Sequence, residues 1–309
     1  MKDVVSDVLD TVALKGTLYF RTDFSPPFAI AVPSFRQAAR FHLVVQGVCH
    51  VALPGGDTVT LQDGDLVLVP HGSAHVLTDA PGREAAPLEQ VIAAAGFTGE
   101  GAFVLGAGDP QAATRMVCGH FAFADGADHP LLRALPPALH FTAADRAHLP
   151  MLDDILRLVG RRMFEAAPGA TASAARLSEV IFIEALRAGL DRAPELRRLL
   201  TAVDDPQIGR ALSLIHAAVE RDWTLDSLAA EAGMSRTRFA ERFRSMVGSA
   251  PMGYLSGWRL QKARALLSEP RASVKEVAHK TGYASPAAFS RAYSNHFGHP
   301  PRGERARTG

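Results

Sequence analysis

The sequence predicts an α+β chain: a small N-terminal β-barrel, then a helical pair, then an all-α C-terminal domain holding two helix-turn-helix modules. Three observations predict it. One helix-turn-helix pattern is written twice, in residues 224–248 and 273–298. Short β runs broken by frequent turns fill the stretch from Thr17 to Val69, as in a small barrel or sandwich. Between these regions, apolar residues at helical spacing mark two long helices, near Leu149–Ala166 and Ala172–Arg192. The expected domains are 1–140 for the barrel, 141–204 for a helical dimerisation or linker segment, and 205–309 for the helical domain.

The repeat is the most specific feature. Leu225, Leu228, Ala229 and Gly233 match Val274, Val277, Ala278 and Gly282 at an offset of 49. Ser235, Phe239, Phe243, Gly248 and Pro251 match Ser285, Phe289, Tyr293, Gly298 and Pro301 at an offset of 50. Each copy reads as a short helix closed by a glycine, a serine placed as N-cap, and a second helix with aromatics four apart on its buried face. A tight turn that holds the second helix across the first is the geometry that lets it enter a major groove. A lone pattern of this kind also fits a plain helical bundle; the duplication is what points to DNA. Between the copies Leu255, Trp258, Leu260, Ala263, Leu266 and Leu267 recur at helical spacing, predicting one helix that couples the modules. A leading helix is expected at Ile208–Glu220, giving about seven helices in the domain.

Residues 208–306 resemble the AraC/XylS class of bacterial transcription regulators, through LAAEAGMS and the phenylalanines after it, WRLQKARALL, and VKEVAHKTGYASPAAFSRAYSNHFGHPP. The resemblance implies double-stranded promoter DNA as partner, and RNA polymerase as well if the protein is an activator. One departure is visible. The family usually ends in Pro-x-x-Tyr-Arg, whereas Pro301 is followed by Arg302, Gly303, Glu304 and Arg305, so the aromatic anchor is missing and the packing of the last turn is open. The recognition helices are expected at Ser235–Met246 and Ser285–His296. Side chains early on the outer face of such a helix reach base edges. Here these are Arg236, Thr237, Ala240 and Glu241, then Pro286, Ala287, Ala288 and Arg291. Arg238, Arg242, Arg244 and Ser285 are placed for phosphates. Two modules on one face of a duplex should sit about 34 Å apart, one helical turn.

Charge follows the same division. The chain carries a net +1, but residues 205–309 hold 16 Lys and Arg against 9 Asp and Glu, a net +7, and residues 1–204 carry a net −6. A basic domain suits a polyanion; an acidic half suits neither nucleic acid nor anionic lipid. Two cysteines, Cys49 and Cys118, make no disulfide framework and point to a reducing cytoplasm. The first residues read as an amphipathic helix, Met1–Leu14, with acids through its apolar run rather than a signal-peptide core. No apolar run reaches membrane-spanning length.

In the N-terminal half, strands are expected at Thr17–Arg21, Phe28–Val32, Arg40–Val45, Val48–Leu53, Thr58–Leu61 and Leu66–Val69, and a short helix near Leu88–Ala95 in a loop over 80–112 that is either a lid over the barrel mouth or a plain connection. Gly64-Asp65 through Pro70-His71-Gly72 to His75 fits the second cupin motif, with Asp79 where an Asn is usual. This half therefore resembles the cupin-type sensor domain that many AraC-class regulators carry. The first cupin motif is not intact: its glutamate position falls on Arg40, and Ser34 to Arg36 contain no histidine. A standard cupin enzyme metal site is therefore not expected.

His42, His75, Cys118 and His120 remain as candidate sensing residues. Three imidazoles and a thiolate could hold tetrahedral zinc or another divalent metal. Cys118 could instead be a redox-sensing thiol activated by a protonated histidine. The plain alternative is hydrogen-bonded interior histidines around a small buried cysteine. The helical pair is expected to form a dimer interface, because resembling regulators often dimerise there, or else to pack on its own barrel; residues 193–207 are expected to be the hinge. The expectation as a whole is a cytoplasmic, dimeric, sequence-specific DNA-binding transcription regulator that senses a small ligand, metal or oxidant, and not an enzyme. The alternative is a cupin-type metalloenzyme, an oxygenase or isomerase, with an appended helical domain.

Overall fold

The computed structural model describes residues 3–35, 37–99, 101–106, 111–164, 168–189, 192–269 and 272–304. Met1, Arg36, Ala166 and Arg305, which figure in the expectations above, lie outside the described residues. In chain order the elements are α1 (Val4–Thr11), β1 (Lys15–Phe24), β2 (Ala29–Val32), β3 (Ala38–Gln46), β4 (Cys49–Ala52), β5 (Thr58–Leu61), β6 (Leu66–Val69), β7 (His75–Thr78), β8 (Ala86–Pro87), α2 (Leu88–Ala94), β9 (Ala102–Leu105) and β10 (Thr114–Ala122). Then come α3 (Pro130–Arg133), β11 (Leu139–Phe141), α4 (Ala143–Arg146), α5 (Pro150–Phe164), α6 (Ala170–Ala188), α7 (Pro194–Asp204) and α8 (Ile208–Ala217). The chain ends in α9 (Leu225–Glu231), α10 (Arg236–Val247), α11 (Pro251–Leu267), α12 (Val274–Lys280), α13 (Pro286–Phe297) and a 3-10 turn at Pro301–Gly303.

These elements form two units whose boundaries differ from the sequence expectation. The β-rich unit is Lys15–Ala122 with Leu135–Arg192; the helical unit is Met1–Leu14, Phe123–Ala134 and Ala193–Gly309. The first helix and a stretch after β10 thus belong with the helical unit rather than with the barrel. The reason is a set of specific bonds: Asp7 pairs with His216 and Lys262, and Ala124 N–H donates to Val12 O at 2.7 Å.

In the β-rich unit, a six-stranded sheet runs β11-β6-β3-β10-β1-β9 and a five-stranded sheet runs β5-β4-β7-β2-β8. Residues such as Phe24, Ile30, Val44, Val51, Leu77, Phe103 and Met116 fill the space between them. The cupin-motif turn explains its own glycine. Gly72 has φ +59°, and a Cβ there would lie 2.1 Å from Phe35 O. Asp79 is used structurally, its Oδ1 accepting from Phe28 N–H at 3.0 Å to pin the start of β2. The turns and alternation upstream of Val69 foretold β1 to β6. Strands β8 and β11 are two and three residues long and too brief to show a period.

Apolar spacing predicts Leu152, Ile155, Leu156, Val159 and Met163 as the inward row of α5; the first four are buried and Met163 is half-buried. Helix α6 agrees in part. Its spacing predicts a buried row of Leu177, Val180, Ile181, Ile183 and Leu186; Ile181 and Leu186 are buried, with Ala174, Ser178, Phe182 and Ala185, against β1 and α5, and Leu177, Val180 and Ile183 are half-exposed. Small residues let its backbone approach the sheet, which turns the buried face toward them.

In the helical unit the expected hinge is instead α7, an 11-residue helix with Leu196 and Ala202 buried and contacts to α8 and α10. The repeat is borne out. In the first module Leu228, Ala229, Phe239 and Phe243 are buried. In the second, Leu260, Ala263, Leu267, Val277, Ala278, Phe289 and Tyr293 form one cluster. Each such large apolar side chain contributes about 1.5–3 kcal/mol on burial. Capping boxes start α9 (Thr224 with Ser227) and α12 (Ser273 with Glu276). Gly233 (φ +65°) and Gly282 (φ +75°) make the turns in the left-handed region.

Candidate nucleic-acid interface and barrel cavity

The outer faces of α10 and α13 are set by what their inner faces bury. With Phe239 and Phe243 inward, Arg236, Thr237, Arg238, Glu241, Arg242 and Arg244 are exposed and Ala240 is half-buried. With Phe289 and Tyr293 inward, Pro286, Ala287 and Arg291 are exposed, and Ser285 and Ala288 are half-buried. Two of these cations are engaged within the protein: Arg242 with Asp205, and Arg236 with Asp226 at 3.3 Å. The second pair is solvent-exposed on both sides and worth at most about 1 kcal/mol, so it breaks readily. Arg238, Arg244 and Arg291 carry no carboxylate partner among the described residues.

The two serines differ. Ser285 Oγ accepts from Ala288 N–H at 3.2 Å and caps α13, whereas Ser235 has cap-like extended backbone but no side-chain cap bond. Ser285 is thus already committed to its helix.

The missing C-terminal aromatic is replaced by an ionic anchor. Glu304 is wholly buried and accepts from Tyr293 Oη and from Arg264 Nε, both at 2.6 Å. Burial, and then the carboxylate beside it, raise the Tyr293 phenol, which stays protonated and donating. Arg264 also lies over the Phe297 ring at 4.6 Å. Sequence reading took only the loss from this segment; a lone Glu gives no sign that it will be buried.

In the barrel, His42 of β3 lies opposite Cys118 of β10, and His75 belongs to the other sheet. His75 Nδ1 meets Ser73 O at 2.9 Å, and a carbonyl can only accept, so this nitrogen carries the proton. His75 Nε2 then accepts from His42 Nε2–H at 2.8 Å, and His42 Nδ1 accepts from the Cys118 thiol at 3.1 Å. The result is a satisfied neutral chain, Cys118 to His42 to His75 to Ser73. Burial pushes His42 well below its usual range, with repulsion from a neighbouring His75 imidazolium and from Arg40 also disfavouring its charged form, and lowers His75 to about 4. Burial likewise raises the Cys118 thiol far above its ordinary value and Cys49 to about 12.

These facts correct the sensing expectations. Cys118 and His75 engage opposite nitrogens of the His42 ring, so the three cannot converge on one ion. His120, half-buried with its ring 5.9 Å from that of Phe35, does not join them. Among the described residues no group of three or more His, Cys, Asp or Glu side chains is placed to hold a metal. Arg40 is buried and lines the same cavity as His42 and Cys118, so a fixed cation stands where a metal would want a carboxylate. The residues do not fit zinc. Nor is Cys118 activated by a protonated histidine, because its neighbour is held neutral. The cavity, about 20 Å³, is walled by Phe24, Ile30, Val32, Leu77, Leu88 and Phe103. Arg40 was the feature that sequence reading took only as an absence.

No described helix is long and apolar enough to cross a membrane. Family comparison places a Cupin domain at residues 3–191 and a Helix-turn-helix domain at residues 228–307. The chain is 31% identical over 301 residues to an AraC-like transcription regulator of Streptomyces lividans, covering 97% of this chain and 96% of that one. It is 29% identical over 302 residues to the HTH-type transcriptional regulator AlkR of Acinetobacter baylyi, covering 97% and 98%. A solved AraC-type DNA-binding domain-containing regulator from Chromobacterium violaceum is 33% identical, with a TM-score of 0.33, over 35% of this chain and 96% of that chain. These relatives are named as regulators, and the cupin-enzyme alternative finds no support among them. The chain belongs to the AraC-like transcription regulators, with a cupin domain in its N-terminal half and a DNA-binding double helix-turn-helix at its C-terminal end.

Proposed function

We propose that this regulator reads promoter DNA through the outer faces of α10 and α13 in successive major-groove turns. The observation carrying this is the pair of matched helices, each inward-anchored by two aromatics, that present Arg238, Arg244 and Arg291 without carboxylate partners among the described residues. Arg236, Thr237, Ala240 and Glu241 of the first helix, and Pro286, Ala287, Ala288 and Arg291 of the second, face the bases. Arg291 is the strongest hydrogen-bonding reader of the second helix, since a guanidinium can pair with guanine through two donors for about 1–3 kcal/mol of discrimination. Arg238 and Arg244 neutralise phosphates; Arg242 and Ser285 serve mainly their own fold. In a binding selection from random duplexes, Arg291→Ala should relax preference at one base position and leave the others. Arg244→Ala should weaken binding to every sequence and lower the log–log salt slope by about 0.9. An unchanged preference in the first variant, or an unchanged slope in the second, would sink the assignment.

The barrel interior is the effector site. Its apolar walls and single buried guanidinium suit a molecule with an apolar body and an anionic head that pairs with Arg40. Entry requires the α2 segment carrying Leu88 to move, since the present space holds about one water. Octanoate should raise the melting point of the β-rich unit and do so no longer in Arg40→Leu; equal shifts in both proteins would exclude this site. The half-exposed row Leu177, Val180 and Ile183 on α6 supports a homodimer through the helical pair. In this reading the protein works in the cytoplasm, and RNA polymerase is a further partner if it activates.

A further inference from the structure

The turns inside the two modules match in sequence but not in surroundings. A Cβ on Gly233 would meet no heavy atom within 4 Å. A Cβ on Gly282 would lie 2.5 Å from Arg259 Nη2 and 2.8 Å from Glu220 O. The turn of the second module is thus closely packed on a guanidinium from α11 and on the loop that enters the first module. Three residues lead from Gly282 to Ser285 and two from Gly233 to Ser235, so the packed turn is also the longer one.

Arg259 is half-buried, and it holds that same loop. Its Nε donates to Val219 O at 2.9 Å and its Nη2 to Arg221 O at 2.7 Å. The loop is itself well tied. Trp223, 2% exposed, donates from Nε1 to Ala218 O at 2.8 Å and from its backbone N–H to Arg221 O at 2.7 Å. The Arg221 guanidinium lies over the Trp223 ring at 4.1 Å. Next in the chain comes Thr224, the N-cap of α9. A planar guanidinium meets two carbonyls at a fixed angle, which an ammonium on a flexible stem does not. The fork therefore stands between the entrance of the first module and the turn of the second.

We infer that Arg259 is a positioning residue for DNA reading: it fixes the offset between α10 and α13, and so the number of base pairs the protein accepts between its two half-sites. The inference rests on the reading above, in which the two helices enter successive major-groove turns. Both modules pack on α11. One shared helix resists separation of the modules better than rocking about its own axis, and a second tie away from that axis stops the rocking. The hydrogen bonds of Arg259 run into the protein, so it acts through the readers and not on the bases. One base pair more or less moves a half-site by about 3.4 Å and turns it by about 35° around the duplex. A braced joint cannot follow that change; a loose one can.

The test uses full-length protein and three fluorescent duplexes. One carries the half-sites at the spacing the parent selects from random duplexes; the others have one base pair inserted or removed between them. The parent should prefer its own spacing at least about tenfold, equivalent to about 1.4 kcal/mol. In Arg259→Met, which keeps the stem and loses the fork, that preference should shrink to about threefold or less. Arg259→Lys, which keeps the charge but not the fork, should fall between and serves if the methionine variant fails to fold. Gly282→Ala, which pushes on the same joint from the other side, should also narrow the preference. A general loss of folded protein weakens all three duplexes alike and leaves their ratio in place. An unchanged ratio in a folded Arg259 variant therefore overturns the inference and leaves the two-groove reading standing. A parent that selects one half-site, or two at no fixed spacing, removes the two-groove reading and this inference with it.

Discussion

Glu304→Ala should destabilise the helical unit by about 3–5 kcal/mol, the usual loss when one partner of a buried ion pair is removed. The deletion strands two buried groups. Among the described residues, Arg264, 5% exposed, keeps only Asp125 at 3.3 Å as an ionic partner, whose side chain is 47% exposed. Tyr293, fully buried on the inner face of α13, loses the acceptor of its hydroxyl. Because Tyr293 and Arg264 sit on different helices, the carboxylate ties α13 to α11, and its loss should loosen the second reader and reduce DNA affinity as well. Urea denaturation followed by the fluorescence of Trp223 and Trp258 measures the effect. Tyr293→Phe, which keeps the ring and removes only the hydroxyl, should cost less, about 1–3 kcal/mol. A Glu304→Ala protein within about 1 kcal/mol of the parent would show that the turn at Pro301–Gly303 is not anchored ionically.

Acidification should destabilise both units before any carboxylate effect sets in. Burial lowers His75 to about 4 and His129 to about 3, and it lowers His42 and His216 as well. In the unfolded chain each returns to about 6.5. Between the native and unfolded values the unfolded chain binds more protons, so stability rises with pH there and falls as pH drops below about 6.5. For His75 the loss continues to about pH 4, and for His129 to about pH 3. At pH about 5 each costs about 2 kcal/mol, so each unit loses that much or more from one histidine alone.

The physical cause differs between units. In the barrel, protonated His75 would face His42 and Arg40 with no carboxylate in its hydrogen-bond chain. In the helical unit, His129 accepts from Leu131 N–H through Nδ1, which protonation abolishes. Asp7 keeps its charge there, since hydrogen bonds from His216 and Lys262 outweigh its burial. Denaturation curves at pH about 7.5 and about 5 should separate by these amounts, and His129→Gln should flatten the dependence of the helical unit alone. Curves that superimpose would mean that these histidines are solvated.

Much of the fold was readable because it rests on local rules. The two modules, their coupling helix and the aromatic anchors follow from spacing, glycine turns and caps within a few residues of each other. The sensing constellation was half readable. Two-residue alternation placed His42 on the same strand face as Arg40, and Cys118 with His120. It could not tell that His42 and His75 would meet across two sheets, or that Arg40 would occupy the interior. Of the α6 row expected by period, Ile181 and Leu186 are buried, while Leu177, Val180 and Ile183 yield to small residues on the inward face.

The sequence by itself determined that this is a two-part regulator with a basic, duplicated DNA-reading fold, because binary pattern and local backbone preference suffice for helices and turns. Tertiary structure alone decided which polar groups meet. It joined Asp7 to His216 across 209 residues, and set Glu304 between Tyr293 and Arg264. Such pairings depend on distances between segments far apart in the chain, and one residue's identity carries no record of its distant neighbour.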